Sequence, residues 1–113
     1  MPVSSLVEER AADVRILRLN RPQAMNALDT ELVHALGAAL AAASDDETAR
    51  VILLEGEGGA FCSGADLKEA LATLGQGQPL AERVGSFQEI VRVIATTPKP
   101  VVAAVDGAAV GFG

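Results

Sequence analysis

The residues of this sequence that are best placed to do chemistry lie in the stretch 61–67, Phe-Cys-Ser-Gly-Ala-Asp-Leu. An apolar run (residues 51–54) and a glycine-rich turn precede it, and a helical pattern follows it. In open α/β folds, ligands bind where strands end and helices begin, because backbone amides are free there. Small residues such as Ser63 and Gly64 also let a ligand approach the backbone closely. The stretch is therefore a candidate binding loop, although a tight turn capped by Asp66 would use the same residues.

Other reactive groups indicate a site less strongly. The glycine-rich run 56–61 has phenylalanine where a dinucleotide fingerprint needs its third glycine, and no lysine follows at phosphate-loop spacing. His34 has no serine or cysteine partner, which favours a surface or interface histidine over a catalytic base. Cys62 has no histidine to activate it, which favours a packing role over a nucleophile. Asp66 and Glu69 could form an acid/base pair, but their position at a helix start favours capping.

Three apolar runs predict β-strands. An imperfect alternation over residues 14–19 predicts a strand that ends at Asn-Arg-Pro (residues 20–22), because proline lacks a donor for the ladder. A second strand is predicted over residues 51–54. The third run, residues 101–105, is so uniformly apolar that we expect a strand covered on both faces. The mixed polar residues 1–9 predict a short edge strand or a loose end.

Two amphipathic patterns predict helices. The first begins at the N-cap Asp29 and ends at residues 44–46. Its apolar positions are Leu32, Val33, Leu36, Leu40 and Ala43. The second helix begins at Pro79, and we expect its buried face to be formed by Leu80, Val84, Phe87, Val91 and Ile94. Between them, the glycines and glutamines of residues 75–79 predict a weakly ordered loop with faster hydrogen exchange than residues 101–105.

The composition indicates one small acidic domain. The 113 residues are 50% hydrophobic but only 3% aromatic, which predicts close packing through small side chains. The net charge of -6 argues against nonspecific binding of nucleic acid or of anionic membranes. A single cysteine fits a reducing compartment, and no leader or membrane span is recognisable. We therefore expect a soluble cytoplasmic protein that has no membrane or nucleic-acid partner.

Several sequence blocks occur in a characteristic order: NRP (20–22), NAL (26–28), FCSGADL (61–67), PKPVVAAV (98–105) and GAAVGFG (107–113). Together they closely resemble the N-terminal part of the enoyl-CoA hydratase/isomerase, or crotonase, family. The resemblance covers nearly the whole chain from about Val14 onward. It implies an α/β fold, a crotonase-like ββα spiral of which residues 1–113 form the N-terminal portion, with the strands at 51–54 and 101–105 adjacent.

The resemblance also implies a site. Enzymes of this family bind a thioester of coenzyme A and stabilise its enolate oxygen with two backbone N–H groups, which by position would be those of Ala65 and Phe112. The implied contacts with the substrate are Gln23, Ala24, Met25, Ala65, Asp66, Leu67, Lys68 and Phe112. Arg21 and Lys68 are candidate cations for it, unless they are simply solvated. No metal and no separate cofactor are implied, because coenzyme A is part of the substrate.

The reaction implied first is that of an enoyl-CoA hydratase-type lyase of fatty acyl-CoA metabolism. An isomerase or another crotonase-family reaction is the nearest alternative, and a noncatalytic acyl-CoA-binding or assembly module is the other. Hydratases of the family use two glutamates that follow the segment with which this chain ends. We therefore expect an N-terminal piece of a longer enzyme, inactive alone, whose parent forms a homotrimer or a dimer of trimers.

Overall fold

The chain forms a mixed α/β structure. The computed structural model describes residues 4–73, 80–111 and 113. A short 3-10 turn, Pro22–Ala24, follows the second strand. In chain order, the strands and helices are β1 (Leu6–Ala11), β2 (Val14–Leu19), α1 (Thr30–Asp45), β3 (Val51–Gly56), α2 (Leu67–Thr73), α3 (Leu80–Thr96) and β4 (Val101–Ala104). The predicted loop at residues 75–79 lies outside the described residues.

The strands form one sheet in the order β1-β2-β3-β4. β1 pairs antiparallel with β2 as an edge strand, whereas β2, β3 and β4 are parallel, with Ile52 opposite Val101. The predicted adjacency of the second and third apolar runs is confirmed. Because the carboxyl ends of parallel strands meet at one edge of a sheet, the loops after β3 and β4 begin side by side.

Helix α1 begins and ends where its capping residues predict. The Asp29 side chain accepts a hydrogen bond of 2.8 Å from the Leu32 N–H, which satisfies one of the unpaired donors of the first turn. The helix ends at Asp45. The five apolar positions predicted for it are buried, and Ala39 is buried with them.

The buried face of α3 was predicted only in part, because Phe87 is buried as expected but Val91 and Ile94 are not. Phe87, Ile90 and Val93 are buried in the core cluster, on the helix that packs against α1. Val91 and Ile94, which were expected in the core, are 52% and 37% exposed. Val84, which was also expected there, is 39% exposed. Both Val91 and Ile94 border an open apolar cavity of about 300 Å³ between α3 and β4. Helical spacing identified an apolar helix and Phe87, but Ile90 and Val93, each one position before a predicted residue, are buried in place of Val91 and Ile94.

Strand β4 was also expected to be covered on both faces, and this expectation was wrong. β4 lies at the edge of the sheet and, among the described strands, pairs only with β3. Val102 is 48% exposed, and Val105 beyond the strand is exposed as well. A continuous apolar run reports the hydrophobicity of a strand and leaves open which segments cover it.

Lys99 connects the end of α1 to the start of β4. Its Nζ donates a hydrogen bond of 2.6 Å to the Ala43 carbonyl and a second one to the Asp46 carbonyl. These carbonyls belong to the last turn and C-cap of α1, where the helix dipole favours a cation. The lysine therefore stabilises the helix end while it fixes the entry into β4.

Lys99→Met should lower the free energy of unfolding by about 1–2 kcal/mol, because it leaves two helix-end carbonyls without their charged donor. Lys68→Met serves as the control, since Lys68 is exposed, and should change stability by less than about 0.5 kcal/mol. Urea denaturation measures both values. Equal effects of the two substitutions would contradict the role assigned to Lys99.

Candidate functional site

The loops that follow β3 and β4 are joined by a parallel β-bridge between Cys62 and Ala109. The Cys62 N–H donates to the Ala108 carbonyl at 3.1 Å, and the Val110 N–H donates to the Cys62 carbonyl at 3.1 Å. The candidate binding loop, residues 61–67, therefore runs beside the glycine-rich block 107–113 that follows β4.

Ala65 lies in a second bridge, which turns its N–H away from the neighbouring segment. The Leu28 N–H donates to the Gly64 carbonyl at 2.7 Å, and the Asp66 N–H donates to the Leu28 carbonyl at 3.0 Å. In such a bridge the residue between the two bonded groups points its own N–H to the opposite side. No acceptor among the described residues is hydrogen-bonded to the Ala65 N–H.

The second predicted donor, the N–H of Phe112, lies outside the described residues. The residues on either side of it are described. The Gly113 N–H donates to the Val110 carbonyl at 2.7 Å. A Cβ at Gly113 would lie 2.1 Å from the Cys62 carbonyl oxygen, so only glycine fits there. The second loop thus stays close to the first, and the sharing of one oxygen by Ala65 and Phe112 remains a prediction.

The other predicted contact segment, Gln23 to Met25, lies beside the Ala65 loop. Pro22–Ala24 forms the 3-10 turn, and Met25 follows in a left-handed conformation (φ 52°). The Met25 carbonyl accepts a hydrogen bond of 3.0 Å from the Ser63 N–H. The side chains of Met25 and Leu67 are both exposed. The structure therefore brings both predicted contact segments together.

Asn26 holds this arrangement, and the sequence did not single it out for that role. Its side chain is fully buried. The Oδ1 atom accepts from the Arg21 N–H at 2.8 Å, and Nδ2 donates to the carbonyls of Glu57 (3.0 Å) and Ala60 (2.8 Å). Its φ of 56° is left-handed, a conformation that asparagine tolerates better than most residues. An asparagine two residues past a turn could have indicated this conformation, but not its partners.

Arg21 is held by contacts within the protein. Its Nη1 donates to the Ala27 carbonyl at 2.6 Å and to Asp66 Oδ2 at 3.0 Å, and its Nε lies 3.5 Å from Asp29 Oδ2. The side chain is therefore neither solvated nor an uncommitted cation for a ligand. Lys68 is exposed and keeps its place as a candidate cation.

The two carboxylates near the loop have structural partners. Asp66 Oδ1 accepts from the Glu69 N–H at 3.1 Å, which caps α2. That bond and, less strongly, the Arg21 guanidinium hold the pKa of Asp66 below its usual value against the opposing effect of burial. The Glu69 carboxylate accepts from both the N–H (2.9 Å) and the hydroxyl (2.5 Å) of Thr30. Asp66 therefore caps α2 as predicted, whereas the Glu69 carboxylate contacts the first residue of another helix, α1.

The remaining candidates also have the structural roles that the sequence favoured. Cys62 is buried, its Sγ accepts from the Gly64 N–H at 3.4 Å, and burial raises the pKa of the thiol. A buried thiol of raised pKa is a poor nucleophile. His34 is exposed on α1.

Residues 4–73, 80–111 and 113 contain no candidate metal site and no candidate membrane span. No group of three or more His, Cys, Asp or Glu side chains there could hold a metal ion. None of the described helices is both long and apolar enough to cross a bilayer.

The chain has a mixed α/β structure in which the adjacent parallel strands β3 and β4 continue into loops joined by a bridge, and solved structures of the enoyl-CoA hydratase/isomerase, or crotonase, class share this fold. The sequence profile described as enoyl-CoA hydratase/isomerase matches residues 9–113. The chain belongs to this family.

Individual relatives show how much of a typical family member the chain represents. A probable enoyl-CoA hydratase of Rhizobium meliloti is 38% identical over 113 residues, which are 100% of this chain and 42% of that protein. A small ribosomal subunit protein of Schizosaccharomyces pombe is 32% identical over 111 residues, 96% of this chain and 26% of the relative. The crystal structure of an enoyl-CoA hydratase/isomerase from Mycobacterium paratuberculosis matches with a TM-score of 0.82 at 34% identity, covering 95% of this chain and 43% of that one. The chain spans about two fifths of the length of the curated relatives that it matches first.

Asn26→Ala should lower the free energy of unfolding by about 2–4 kcal/mol, because it leaves one buried donor and two carbonyls without their partner. Asn20→Ala is the matched control and should cost less than about 1 kcal/mol, since the Asn20 side chain donates an exposed hydrogen bond to the Ser4 carbonyl. Urea denaturation followed by circular dichroism measures the difference. If the two variants were equally stable, Asn26 would not be the residue that holds the loops.

Proposed function

We propose that the protein binds an acyl-CoA thioester and stabilises its enolate oxygen with the backbone N–H groups of Ala65 and Phe112, in a reaction of the enoyl-CoA hydratase type. The observation that carries the proposal is the Ala65 N–H. It has no acceptor among the described residues, while the Gly64 carbonyl and the Asp66 N–H on either side of it are both bonded to Leu28.

The chemistry explains why such a donor matters. When water adds to a 2,3-unsaturated thioester, negative charge grows on the thioester oxygen. A donor already aimed at that oxygen stabilises the transition state more than the ground state, and removal of one such donor typically costs about 3–4 kcal/mol. Because the proposed donors are backbone groups, Phe112 can replace the glycine of some relatives. The part assigned to Phe112 rests on the resemblance, since that residue is not described.

The proposed contacts with the coenzyme are Gln23, Ala24 and Met25 on one side and Asp66, Leu67 and Lys68 on the other. The hydrogen bond from the Ser63 N–H to the Met25 carbonyl supports this assignment, because it places the two segments next to each other. Coenzyme A carries phosphates, whereas the chain has a net charge of -6. A local cation is therefore needed, and Lys68 is proposed for it.

Two other functions remain as alternatives. An isomerase or another crotonase-family reaction would use the same two donors, because it also passes through an enolate. A noncatalytic binding or assembly module is favoured by the relative named as a small ribosomal subunit protein. Binding of an acyl-CoA with polarisation of its carbonyl supports either enzymatic reaction over the assembly module.

The proposed setting is the cytoplasm, for which the buried thiol of Cys62 gives modest support. A homotrimer or dimer of trimers, which the resemblance implies for a full-length parent, stays a prediction.

The first test replaces the Ala65 N–H alone. Semisynthesis with lactic acid at position 65 turns the Gly64–Ala65 amide into an ester, which lacks the N–H. Binding should lower the carbonyl stretching frequency of ¹³C-labelled crotonyl-CoA in the natural protein and lower it much less in the ester variant. The control is the ester at the exposed Gly59, made with glycolic acid, which should leave the carbonyl shift unchanged. If the ester at 65 left the carbonyl shift intact, Ala65 would not be a donor.

The second test concerns turnover. The 113-residue chain alone should show no hydratase activity, because water addition needs a base and an acid, each typically worth about 10²- to 10⁴-fold. Its site carboxylates, Asp66 and Glu69, are committed to capping contacts. Loss of crotonyl-CoA absorbance measures the rate. Turnover abolished by Asp66→Asn or Glu69→Gln, but not by the exposed control Glu31→Gln, would assign the acid/base role to this chain.

A further inference from the structure

Arg21 makes a contact whose effect reaches Ala65. Its Nη1 donates to the Ala27 carbonyl at 2.6 Å. The guanidinium is held in this place by Asp66 at 3.0 Å and by Asp29 at 3.5 Å. Its side chain is 18% exposed, so this cation acts on the carbonyl with little screening by water.

Two peptide units lie between this cation and the Ala65 N–H. The Ala27 carbonyl and the Leu28 N–H belong to one planar peptide unit, and they point in opposite directions because the bond is trans. The Leu28 N–H donates to the Gly64 carbonyl at 2.7 Å. The Gly64 carbonyl and the Ala65 N–H belong to the next planar unit and again point in opposite directions. The chain of donors therefore runs from Arg21 through Leu28 to Ala65.

Hydrogen bonds in such a chain strengthen one another. A cation that donates to a carbonyl draws electron density through the peptide unit and makes its N–H a better donor, by about 10–30% per bond. The same bonds fix the planes of both units, so they also fix the direction of the last N–H. Gly64 has a φ of 97°, a conformation that glycine adopts without strain.

We propose that Arg21 is a positioning residue that orients and polarises the Ala65 N–H through the Ala27–Leu28 and Gly64–Ala65 peptide units. This inference rests on the proposed function, in which the Ala65 N–H donates to the thioester oxygen. Arg21 itself does not touch the substrate in this mechanism. Its charge is delivered to the reacting oxygen through the backbone.

The test uses the full-length protein and crotonyl-CoA labelled with ¹³C at the carbonyl. Arg21→Met should remove at least half of the carbonyl frequency shift that binding produces. Affinity for crotonyl-CoA should fall about tenfold, while affinity for its thioether analogue, which has no carbonyl, should stay within about twofold because the coenzyme contacts are retained. The backbone ¹³C resonances of the Ala27 and Gly64 carbonyls should also move, which the loss of a remote ion pair would not cause.

Arg18→Met is the matched control. Arg18 makes ion pairs with Glu9 and Glu55, both at 2.8 Å, on the strands of the sheet. Its replacement should cost similar ion pairing and leave the carbonyl shift unchanged. If Arg21→Met does not fold, Arg21→Lys takes its place, because a lysine cannot reproduce the forked contact with the carbonyl and the carboxylates.

The outcomes separate this inference from the proposed function. A reduced shift in the Arg21 variant with a normal shift in Arg18→Met supports the role of Arg21. A normal shift in a folded Arg21 variant overturns that role and leaves the proposed function standing. If the natural protein itself shows no carbonyl shift with crotonyl-CoA, the proposed function fails and the role of Arg21 fails with it.

Discussion

The amide of Asn26 is the constraint on which the rest of the site depends. It joins the segment after β2 to the segment after β3 through three hydrogen bonds within a fully buried position. Partners on both sides require one acceptor and two donors on a short side chain, and asparagine offers this set. The fit also restricts β3. A Cβ at Gly56 would lie 2.9 Å from Asn26 Nδ2 and 2.5 Å from the Phe61 carbonyl oxygen, so the strand must end in glycine.

Once these segments are joined, the backbone sets the direction of every group in the loop. Residues 63–66 form backbone hydrogen bonds with the carbonyl of Met25 and with both the N–H and the carbonyl of Leu28, in a short parallel arrangement. Alternation along that ladder turns Ala65 outward. The charged side chains around it, Arg21 and Asp66, contact backbone groups and each other. Side chains thus fix the loop, and under the proposed function the group that contacts the substrate oxygen is the backbone N–H of Ala65.

Local signals in the sequence predicted the elements well. Three features depend on residues that are close in sequence: the cap at Asp29, the end of β2 before Pro22 and the apolar stripe of α1. The adjacency of β3 and β4 was predicted from the family resemblance. The errors concern coverage. The sequence pattern shows that Val91, Ile94 and β4 are apolar. Their exposure depends on whether a segment distant in sequence packs against them. Asn26 was missed as an anchor for a similar reason, because its carbonyl partners lie 31 and 34 residues away.

Several arginines of this chain form ion pairs with carboxylates of the same chain. Arg10 and Arg15 pair with Asp46, Arg18 with Glu9 and Glu55, and Arg21 with Asp66. Arginines that are paired in this way fix backbone positions. A backbone N–H does not gain or lose a proton during the reaction, so it acts only as a hydrogen-bond donor. Under the proposed function, the same donor serves any step in which a thioester oxygen gains negative charge. Choice among hydration, isomerisation and related reactions must therefore depend on groups that move protons, and the described carboxylates beside Ala65 are engaged in capping.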